Sequence, residues 1–468
     1  MSILLATLAA AAPLPAKDRV SEADLSAHIR ILASDEYEGR KPGTTASAKT
    51  LSYIATAWAR AGLRPGAADG GWYQPVSLVD RAPASTRLRL GGDAGALVPA
   101  ADLVAIGTNS VETFDRTPLV EVSTDGTVPS DIAGKVAILR LSATNAGALW
   151  RQRQALDAVG AKAVLILTPD ATFERMRSSY SQGGTDAPGS KKGVLIIAHA
   201  GRFDALRARA GRQAGLSGTI TTTVRNYTSH NVVGRLLGRR ADGEAVLITG
   251  HWDHLGLCRP EGAPDRICNG AIDNASGIAV MIEVAERLAR GKRPARDVVF
   301  VATTAEESGL LGAAAYVDAP TVPLDKIVGV LNIDTIAIGP RGLPVSAVNR
   351  GNTAIDPLID EAARRQRRPL DADLDANAFI MRQDGAVFTR AGVPAVMAGG
   401  SFADMKKLQA FLAGPYHGPD DEWSETLPLG GAAEDAELHV LLTRALADPR
   451  RYKRVAVPQA APAFRRTP

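Results

Sequence analysis

Apolar runs and helical segments alternate along the second half of the chain, from residue 231 onward. Apolar runs separated by helices predict buried, largely parallel strands. Functional side chains of such sheets gather beyond the carboxyl ends of the strands. We therefore expect an α/β fold, with a mixed, largely parallel sheet flanked by helices. The predicted strands cover residues 245–249, 298–303, 327–333 and 394–398, and a predicted helix covers residues 275–289.

The first part of the chain shows a helical pattern and then an extended one. Leu51, Ile54, Ala55 and Trp58 recur at helical spacing, and Gly62 is placed to end that helix. The extended segment begins soon afterwards, near Trp72.

Short strands and glycine-containing turns occupy residues 91–225, where the pattern changes. We expect a smaller α/β or β-rich unit here, inserted into a discontinuous larger domain formed by residues 17–90 and 226–449. A chain of 468 residues is long enough for two hydrophobic cores. The elements predicted inside the insert are strands at residues 135–141, 163–167 and 194–198 and a helix at residues 148–159.

Both ends of the chain are expected to lie outside the folded domains. Residues 1–16 form an apolar run that ends in small residues, as the core and cleavage site of a secretory signal do. The run has no basic segment before it, so a mis-assigned start or a buried N-terminal strand stays open. We expect a periplasmic or secreted protein. Residues 450–468, with arginines among Pro and Ala, are expected to form a disordered tail.

Composition and charge argue against nucleic-acid binding and against a membrane span. The chain is 45% hydrophobic and 22% charged, which is ordinary for a globular protein. Its formal net charge is +4, with basic and acidic residues interspersed, so the charge pattern does not indicate nucleic-acid binding. No stretch after the N-terminal run reaches the roughly 18 apolar residues needed to cross a bilayer, so no membrane span is expected.

A histidine and an aspartate follow the first predicted strand of the larger domain. His251 and Asp253 are two positions apart, so their side chains would lie on the same side of the extended chain. His251 is a candidate metal ligand, and Asp253 would orient its imidazole. For the neighbouring His254 we expect a loop or hydrogen-bonding role.

Three carboxylates occupy the next two segments. Asp273 stands where a helix begins, and capping of that helix by Asp273 or Asn274 is the alternative to metal binding. Glu306 and Glu307 follow a fully apolar strand, where two adjacent like charges are unfavourable unless a cation is present or one of them holds a proton. Glu307 as a metal ligand and Glu306 as a general base fit this pair, and a solvated loop is the alternative.

Asp334 and His417 complete the set. Asp334 ends a further apolar strand, and His417 lies in a turn-rich loop. Together with His251, Asp273 and Glu307 they give two histidines and three carboxylates at successive loops of one sheet. Such a mixed set of nitrogen and oxygen ligands suits zinc, with one carboxylate bridging two ions.

The motifs that carry these residues resemble those of peptidase family M28. They read GHWDHLG, GAIDNASG, AEESGLLG, NID and PYHGPDDEW, and the early segment LASDEYEGRKPGT is also similar. Inside the insert, DIAGKVAILRL and GAKAVLIL are similar to a protease-associated (PA) domain. The resemblance covers most of the chain.

The resemblance implies a role for each matching residue. Asp273 would bridge two zinc ions, Asp334 and His417 would complete the set of the second ion, and Tyr416 would place its hydroxyl near the tetrahedral oxyanion. Two departures concern substrate recognition. Thr335 and Ala337 replace the more usual Met and Gly, and Gln383 lies in RQDG where relatives often have RSDH.

The expected activity is that of a metallopeptidase: a zinc-dependent exopeptidase that removes N-terminal residues from peptides through a metal-bridging water. The ligand motifs do not encode which terminus is read, so a carboxypeptidase or dipeptidase stays an alternative. Others are a non-catalytic, receptor-like relative and a single-zinc cyclising transferase. Peptides are the expected partners.

Cys258 and Cys268 are the only cysteines, and both lie between the first two ligand motifs. In an oxidising compartment a close pair in one loop favours a disulfide. Metal binding is the rival role, but the metal set described above is complete without sulfur. We expect the bridge to hold His251 and Asp273 in position relative to each other.

Overall fold

Two compact units make up the chain. The computed structural model describes residues 16–91, 96–142, 145–190, 192–211 and 213–455. The larger unit runs up to Val76 and resumes at Thr228, and the smaller unit is Ser77–Tyr227. The expected insert, residues 91–225, therefore begins 14 residues too late, because one long strand runs across each boundary without a turn. The predicted signal peptide, apart from its last residue, lies outside the described residues.

The larger unit begins with two helices, and the second is the one predicted from apolar spacing. The side chain of Thr44 accepts a hydrogen bond from Ser47 N at its start, and Gly62 ends it with φ 96°. This φ lies in the left-handed region, which a glycine adopts without steric penalty. The elements up to the first boundary are α1 Glu22–Leu32, α2 Thr45–Ala61, β1 Arg64–Pro65 and β2 Tyr73–Leu90.

The smaller unit has a five-stranded sheet with an apolar cluster on each face. Its elements are β3 Ala96–Leu97, β4 Leu103–Ile106, β5 Val111–Thr117, β6 Leu119–Glu121, β7 Val136–Arg140, α3 Ala146–Ala158, β8 Ala163–Thr168, α4 Asp170–Ser181, β9 Gly184–Asp186, β10 Val194–His199 and α5 Ala200–Ala210. The sheet order is β4-β10-β8-β7-β6, antiparallel at β4 and parallel elsewhere. The three strands and the helix that the sequence predicted are β7, β8, β10 and α3.

The rest of the larger unit contains most of its sheet and helices. Its elements are β11 Leu216–Leu236, which starts in the smaller unit, β12 Ala245–His251, β13 Gly256–Leu257, β14 Ile267–Cys268, α6 Ser276–Ala289, β15 Asp297–Thr303, α7 Leu311–Asp318, β16 Ile327–Asn332, β17 Ser346–Val348, α8 Asp356–Gln366, α9 Gly385–Arg390, β18 Ala395–Gly399, α10 Met405–Ala413 and α11 Gly430–Leu446.

The sheet of this unit is mixed and largely parallel, as predicted. β12 lies between β15 and β16 and is parallel to both, and β16 is parallel to β18. β11 and β17 pair antiparallel with β15 and β18. Alternate residues enter different clusters: Val246 and Ile248 pack with α6 and α11, whereas Ala245 and Leu247 pack with α7 and α9. Burial on both faces explains why these strands are continuous apolar runs.

The register of the three central strands places their ends side by side. His251 is opposite Thr303, and Thr249 is opposite Asn332. The residues that follow β15 and β16 therefore emerge next to His251. This alignment brings carboxylates that are far apart in sequence to one edge of the sheet.

The C-terminal segment differs from its prediction. Tyr452 is buried, and its carbonyl oxygen accepts a hydrogen bond from Arg296 Nη1 at 2.8 Å. The chain is therefore anchored to the larger unit at Tyr452, whereas a disordered tail was expected from residue 450. The remainder of that tail, residues 456–468, lies outside the described residues. Across the described ranges, none of the helices has the length and apolar character to span a membrane.

The predicted disulfide between Cys258 and Cys268 is present. The two Cα atoms are 5.7 Å apart, and the bridge closes the short hairpin in which Gly256 pairs with Cys268. No described cysteine is free.

Candidate metal centre

Asp273 lies at the middle of the predicted ligand set. Its Oδ1 atom is 3.2 Å from Nε2 of His251, and that nitrogen is 3.4 Å from Oδ1 of Asp334. One histidine nitrogen and two carboxylate oxygens thus converge from β12, from the turn before α6 and from the end of β16. Such separations suit atoms that bind one cation.

The other oxygen of Asp273 faces a second group. Its Oδ2 atom is 3.4 Å from Nε2 of His417, and that nitrogen is 2.9 Å from Oε2 of Glu307. Asp334 and His417, which were expected to complete one ion's set together, therefore lie on opposite sides of Asp273. The reason is that Asp334 leaves the sheet next to β12, whereas His417 comes from the loop after α10.

The electrostatics of this cluster fit cations. Burial lowers the pKa of His251, but Glu306, Asp334 and Asp273 outweigh burial and raise that pKa well above its usual value. Burial raises the pKa of Glu307, yet its hydrogen bonds to histidines bring the pKa down to about 2. The carboxylates thus make positive charge favourable at two points. A bound cation would supply that charge in place of a proton on each histidine, so the residues fit the expected metal.

His254 contacts this cluster through Glu307. The side chain is buried, and its Nδ1–H donates to Oε1 of Glu307 at 2.7 Å. This confirms the expected hydrogen-bonding role. Because Oε1 is occupied in this way, Glu307 presents Oε2 to His417.

Asp253 acts on the cluster differently from its prediction. Nδ1 of His251 is 3.1 Å from the backbone carbonyl oxygen of Asp253 but 3.9 Å from its carboxylate. The carboxylate instead accepts the backbone N–H of Glu306 at 3.1 Å. Asp253 thus orients the imidazole through its main chain and fixes the Glu306 loop through its side chain, and burial raises the pKa of that carboxyl to about 7.

Glu306 and Tyr416 lie beside the predicted ligands, and among the described residues no hydrogen bond or ion pair joins them to the converging atoms. Both line one cavity together with His251, Asp273 and Asp334. Burial raises the pKa of Glu306 well above its usual value; His251 opposes this rise, and Glu307 adds to it. The ring of Tyr416 stacks on His417 at 3.7 Å between centroids.

A family profile covers the part of the chain that contains this cluster. The profile of peptidase family M28 matches residues 231–437, the segment that carries all five predicted ligands. The larger unit contains an M28 domain. Its described residues place Asp273 between two histidine–carboxylate pairs at the carboxyl ends of parallel strands.

Curated relatives of the M28 domain match part of the chain. Probable glutamate carboxypeptidase LAMP1 of Arabidopsis thaliana is 31% identical over 168 residues, which are 35% of this chain and 22% of that protein. Aminopeptidase YwaD of Bacillus subtilis is 29% identical over 190 residues, 40% of this chain and 36% of that protein. The chain thus spans well under half the length of these relatives.

A solved structure shares the fold. The aminopeptidase from Aneurinibacillus sp. strain AM-1 superposes with a TM-score of 0.62 at 20% identity, over 94% of this chain and 97% of that one. At this identity the likeness establishes the α/β fold alone.

Beside the ligands, the cavity of the M28 domain has an apolar wall and one cation. Arg382 lies at this wall, with its guanidinium 5.3 Å from the centre of the Phe379 ring. Of the residues that depart from the family pattern, Thr335 lines the cavity. Gln383 is turned into the protein, where its side chain bonds Ile380 and Gly385. The apolar wall consists of Phe379, Met397, Phe402, Leu408 and Leu412.

Asn274 resolves the capping alternative. Its Oδ1 atom accepts from Gly277 N at 3.0 Å, so Asn274 serves the start of α6 and leaves Asp273 to the cluster. Its Nδ2 atom donates to the carbonyl oxygens of His251 and Ile333. Asn274 thus joins three ligand-bearing segments, and the spacing of three residues to Gly277 was the available sequence signal.

Three further buried residues of the M28 domain and its N-terminal extension escaped the sequence reasoning. Asp421 accepts the backbone N–H groups of Ile272 and Asp273 at 2.8 and 3.0 Å. Asp384 accepts a hydrogen bond from Thr303 at 2.5 Å. Their signal was weak because each is one of several acidic or polar residues in a loop. The third, Arg40, belongs to the early EGR segment.

Proposed function

We propose that the chain is a zinc-dependent exopeptidase that removes N-terminal residues from peptides. The observation that carries this proposal is the position of Asp273 between two histidine–carboxylate pairs, in the cavity that the half-buried Glu306 also lines. The name of the Bacillus subtilis relative, an aminopeptidase, supports the choice of reaction.

Two zinc ions per chain fit the donor set. His251 and Asp334 would hold one ion, Glu307 and His417 the other, and Asp273 would belong to both. When bound, the ions lower the pKa of a water toward neutrality and polarise the scissile carbonyl.

Glu306 is the group placed to move the proton. It lines the cavity beside the ligands, and its loop is held by the carboxylate of Asp253. A carboxylate at this position accepts a proton from the attacking water and returns it to the leaving amine. Burial raises the pKa of Glu306, so its proton affinity is closer to that of the attacking water and the leaving amine.

Tyr416 is placed to stabilise the oxygen that gains charge. Its ring is fixed by the stack on His417, and burial raises the pKa of its hydroxyl, which therefore stays protonated. A protonated donor that is already in place lowers the energy of a developing oxyanion.

A carboxypeptidase is the second candidate because of Arg382. This cationic side chain at the cavity wall suits a substrate carboxylate, and the Arabidopsis relative is named a probable glutamate carboxypeptidase. The Arg382→Met variant separates the two activities: it should weaken cleavage of substrates with a free C-terminal carboxylate and leave aminoacyl anilides unaffected.

The deciding experiment uses purified protein and paired substrates. Aminoacyl p-nitroanilides should be hydrolysed and their N-acetylated forms should not, and 1,10-phenanthroline should abolish the reaction until zinc is restored. Cleavage of N-blocked peptides from the C-terminus would establish the carboxypeptidase instead. No hydrolysis of either kind by zinc-loaded protein would refute a peptidase. The Glu306→Gln variant from the same preparation controls for contaminating peptidases.

We also propose that the protein works outside the cytoplasm and that Ser77–Tyr227 is a PA-type domain. The disulfide supports the first point. The motif resemblance and the central parallel strands of the smaller sheet support the second. Cell fractionation tests the location: activity confined to the cytoplasm would contradict it.

A further inference from the structure

Arg40 is a fully buried cation outside the residues matched by the family profile. Its side chain is 1% exposed. Within the described residues it forms no ion pair, and its hydrogen bonds all go to backbone carbonyl oxygens. A buried guanidinium without a carboxylate partner is unfavourable, so an arginine at this position needs a specific reason.

Those carbonyl groups belong to the two segments that carry His251 and Asp273. Nε donates to the oxygen of Trp252 at 2.9 Å, the residue directly after His251. Nη1 and Nη2 donate to the oxygens of Asn269 at 2.6 Å and Gly270 at 2.8 Å, just before Asp273. The planar guanidinium thus joins the residues that follow His251 to those that precede Asp273. The β13–β14 hairpin connects the same two segments, but at residues farther in sequence from His251 and Asp273. Lysine lacks the fork of donors that this arrangement requires.

The backbone around Arg40 forms a tight turn that directs the side chain into the protein. Glu38, Gly39 and Arg40 all have positive φ, at 43°, 62° and 53°. A Cβ atom on Gly39 would lie 2.3 Å from the carbonyl oxygen of Cys268, so the turn is pressed against the disulfide hairpin. Positive φ at two residues with side chains persists only where the surroundings hold it.

A second contact ties the same segments. Nδ2 of Asn269 donates to the carbonyl oxygen of Ala33 at 2.8 Å and to Oδ1 of Asp35 at 2.9 Å. Arg40 itself also bonds the oxygen of Leu32, at the end of α1. The N-terminal segment is therefore seated on the loop before Asp273 at several points.

The charge of Arg40 suits its neighbours. Burial lowers its pKa to about 10, while the fields of Asp421, Asp273, Asp253 and Glu307 oppose that fall. The guanidinium therefore stays charged at neutral pH. It adds one fixed positive charge behind a cluster that is rich in carboxylates.

We propose that Arg40 is a positioning residue of the metal centre: it locks the His251 and Asp273 segments into the spacing that cations require. The proposal rests on the proposed metal site and not on which peptide is cleaved. Under this proposal the N-terminal segment, which lies outside the family profile, contributes to the geometry of the metal site.

The test compares two buried arginines of the same unit. Arg296 is 2% exposed. It bonds the carbonyl oxygens of Leu446 and Tyr452 and forms an ion pair with Glu244, but it does not bond the ligand segments. Arg40→Met and Arg296→Met should both lower the urea midpoint of the metal-free protein. Zinc affinity, from competition with a chromophoric chelator, should fall about 10- to 100-fold in Arg40→Met and stay within about twofold in Arg296→Met. Arg40→Lys, which keeps the charge and loses the fork, should lie between wild type and Arg40→Met.

Three outcomes would overturn the proposal. Unchanged zinc affinity in Arg40→Met is one, and an equal loss in Arg296→Met is another, because it would indicate general destabilisation. If Arg40→Met does not fold, wild-type affinity in folded Arg40→Lys refutes the need for the fork. Wild-type protein that binds no zinc would refute both proposals, whereas zinc binding without peptidase activity would refute the proposed function alone.

Discussion

The hydroxyl of Thr335 donates a hydrogen bond to Oδ1 of Asp334 at 2.8 Å, and that oxygen is the one that faces Nε2 of His251. Thr335 has φ 52°, which is unusual for a β-branched residue. The methionine more usual at this position could not donate such a bond. The departure from the family pattern thus acts on a ligand carboxylate as well as on the cavity wall.

Thr335→Val should weaken metal binding because it removes the hydroxyl and keeps the shape and the branching. We expect zinc affinity to fall toward the lower end of the range of about 10- to 100-fold that the loss of a ligand's hydrogen-bond partner produces. Thr335→Ser, which keeps the hydroxyl, should bind zinc as wild type does. Equal affinity of the valine and serine variants, measured by chelator competition, would show that the hydrogen bond has no effect on the metal.

Glu306→Gln should abolish turnover and leave the metals bound, because it removes the base and no ligand. The expected loss of kcat is about 10²- to 10⁴-fold. Metal content and rate should be measured on one sample, with Glu307→Gln as the comparison that loses metal. Full loss of zinc from Glu306→Gln would mean that the two glutamates have exchanged roles.

Asn274→Ala should destabilise the metal-free protein. The variant leaves the carbonyl oxygens of His251 and Ile333 and the N–H of Gly277 without their side-chain partner. We expect the free energy of unfolding in urea to fall by about 2 to 4 kcal/mol. Asn274→Asp keeps the acceptor for Gly277, but it turns an oxygen toward the two carbonyl oxygens and adds a buried negative charge among carboxylates, so its loss should be larger. An alanine variant as stable as wild type would mean that these bonds contribute nothing.

Cys258→Ser should weaken metal retention without unfolding the protein. Closing a loop of this length contributes roughly 2 to 3 kcal/mol by restricting the unfolded chain. The effect should be local because the hairpin contacts the turn of Gly39 and the segment before Asp273. Zinc loss during dialysis and the far-UV circular dichroism spectrum separate the two effects. Two titratable thiols in native, unreduced wild-type protein would contradict the bridge.

The sequence predicted the central strands closely because each is buried on both faces. The run at residues 245–249 became β12 Ala245–His251, and the run at residues 298–303 became β15 Asp297–Thr303. An apolar run that ends in a single polar residue leaves little freedom in strand or register. The sequence alone therefore predicts that residues such as His251 lie at one edge of the sheet.

Other features left no pattern in the sequence. The partners of Arg40 are carbonyl oxygens, which every residue has, so the sequence does not reveal that this arginine is buried. The pairing of Asp334 with His251, and not with His417, depends on the order of strands in the sheet. The first boundary of the insert was predicted 14 residues too late because β2 continues through it, whereas the predicted end, residue 225, is two residues from Tyr227.

The contact between Arg40 and Trp252 can form only late in the synthesis of the chain. The two residues are 212 positions apart in the chain. At translation speeds of about 5 to 20 residues per second, roughly 10 to 40 s pass between the appearance of the guanidinium and that of its first ligand-segment partner. Until then the carbonyl oxygen of Leu32 is the one partner in Arg40's hydrogen-bond set that has been synthesised, so the guanidinium cannot yet connect the segments of the predicted metal centre.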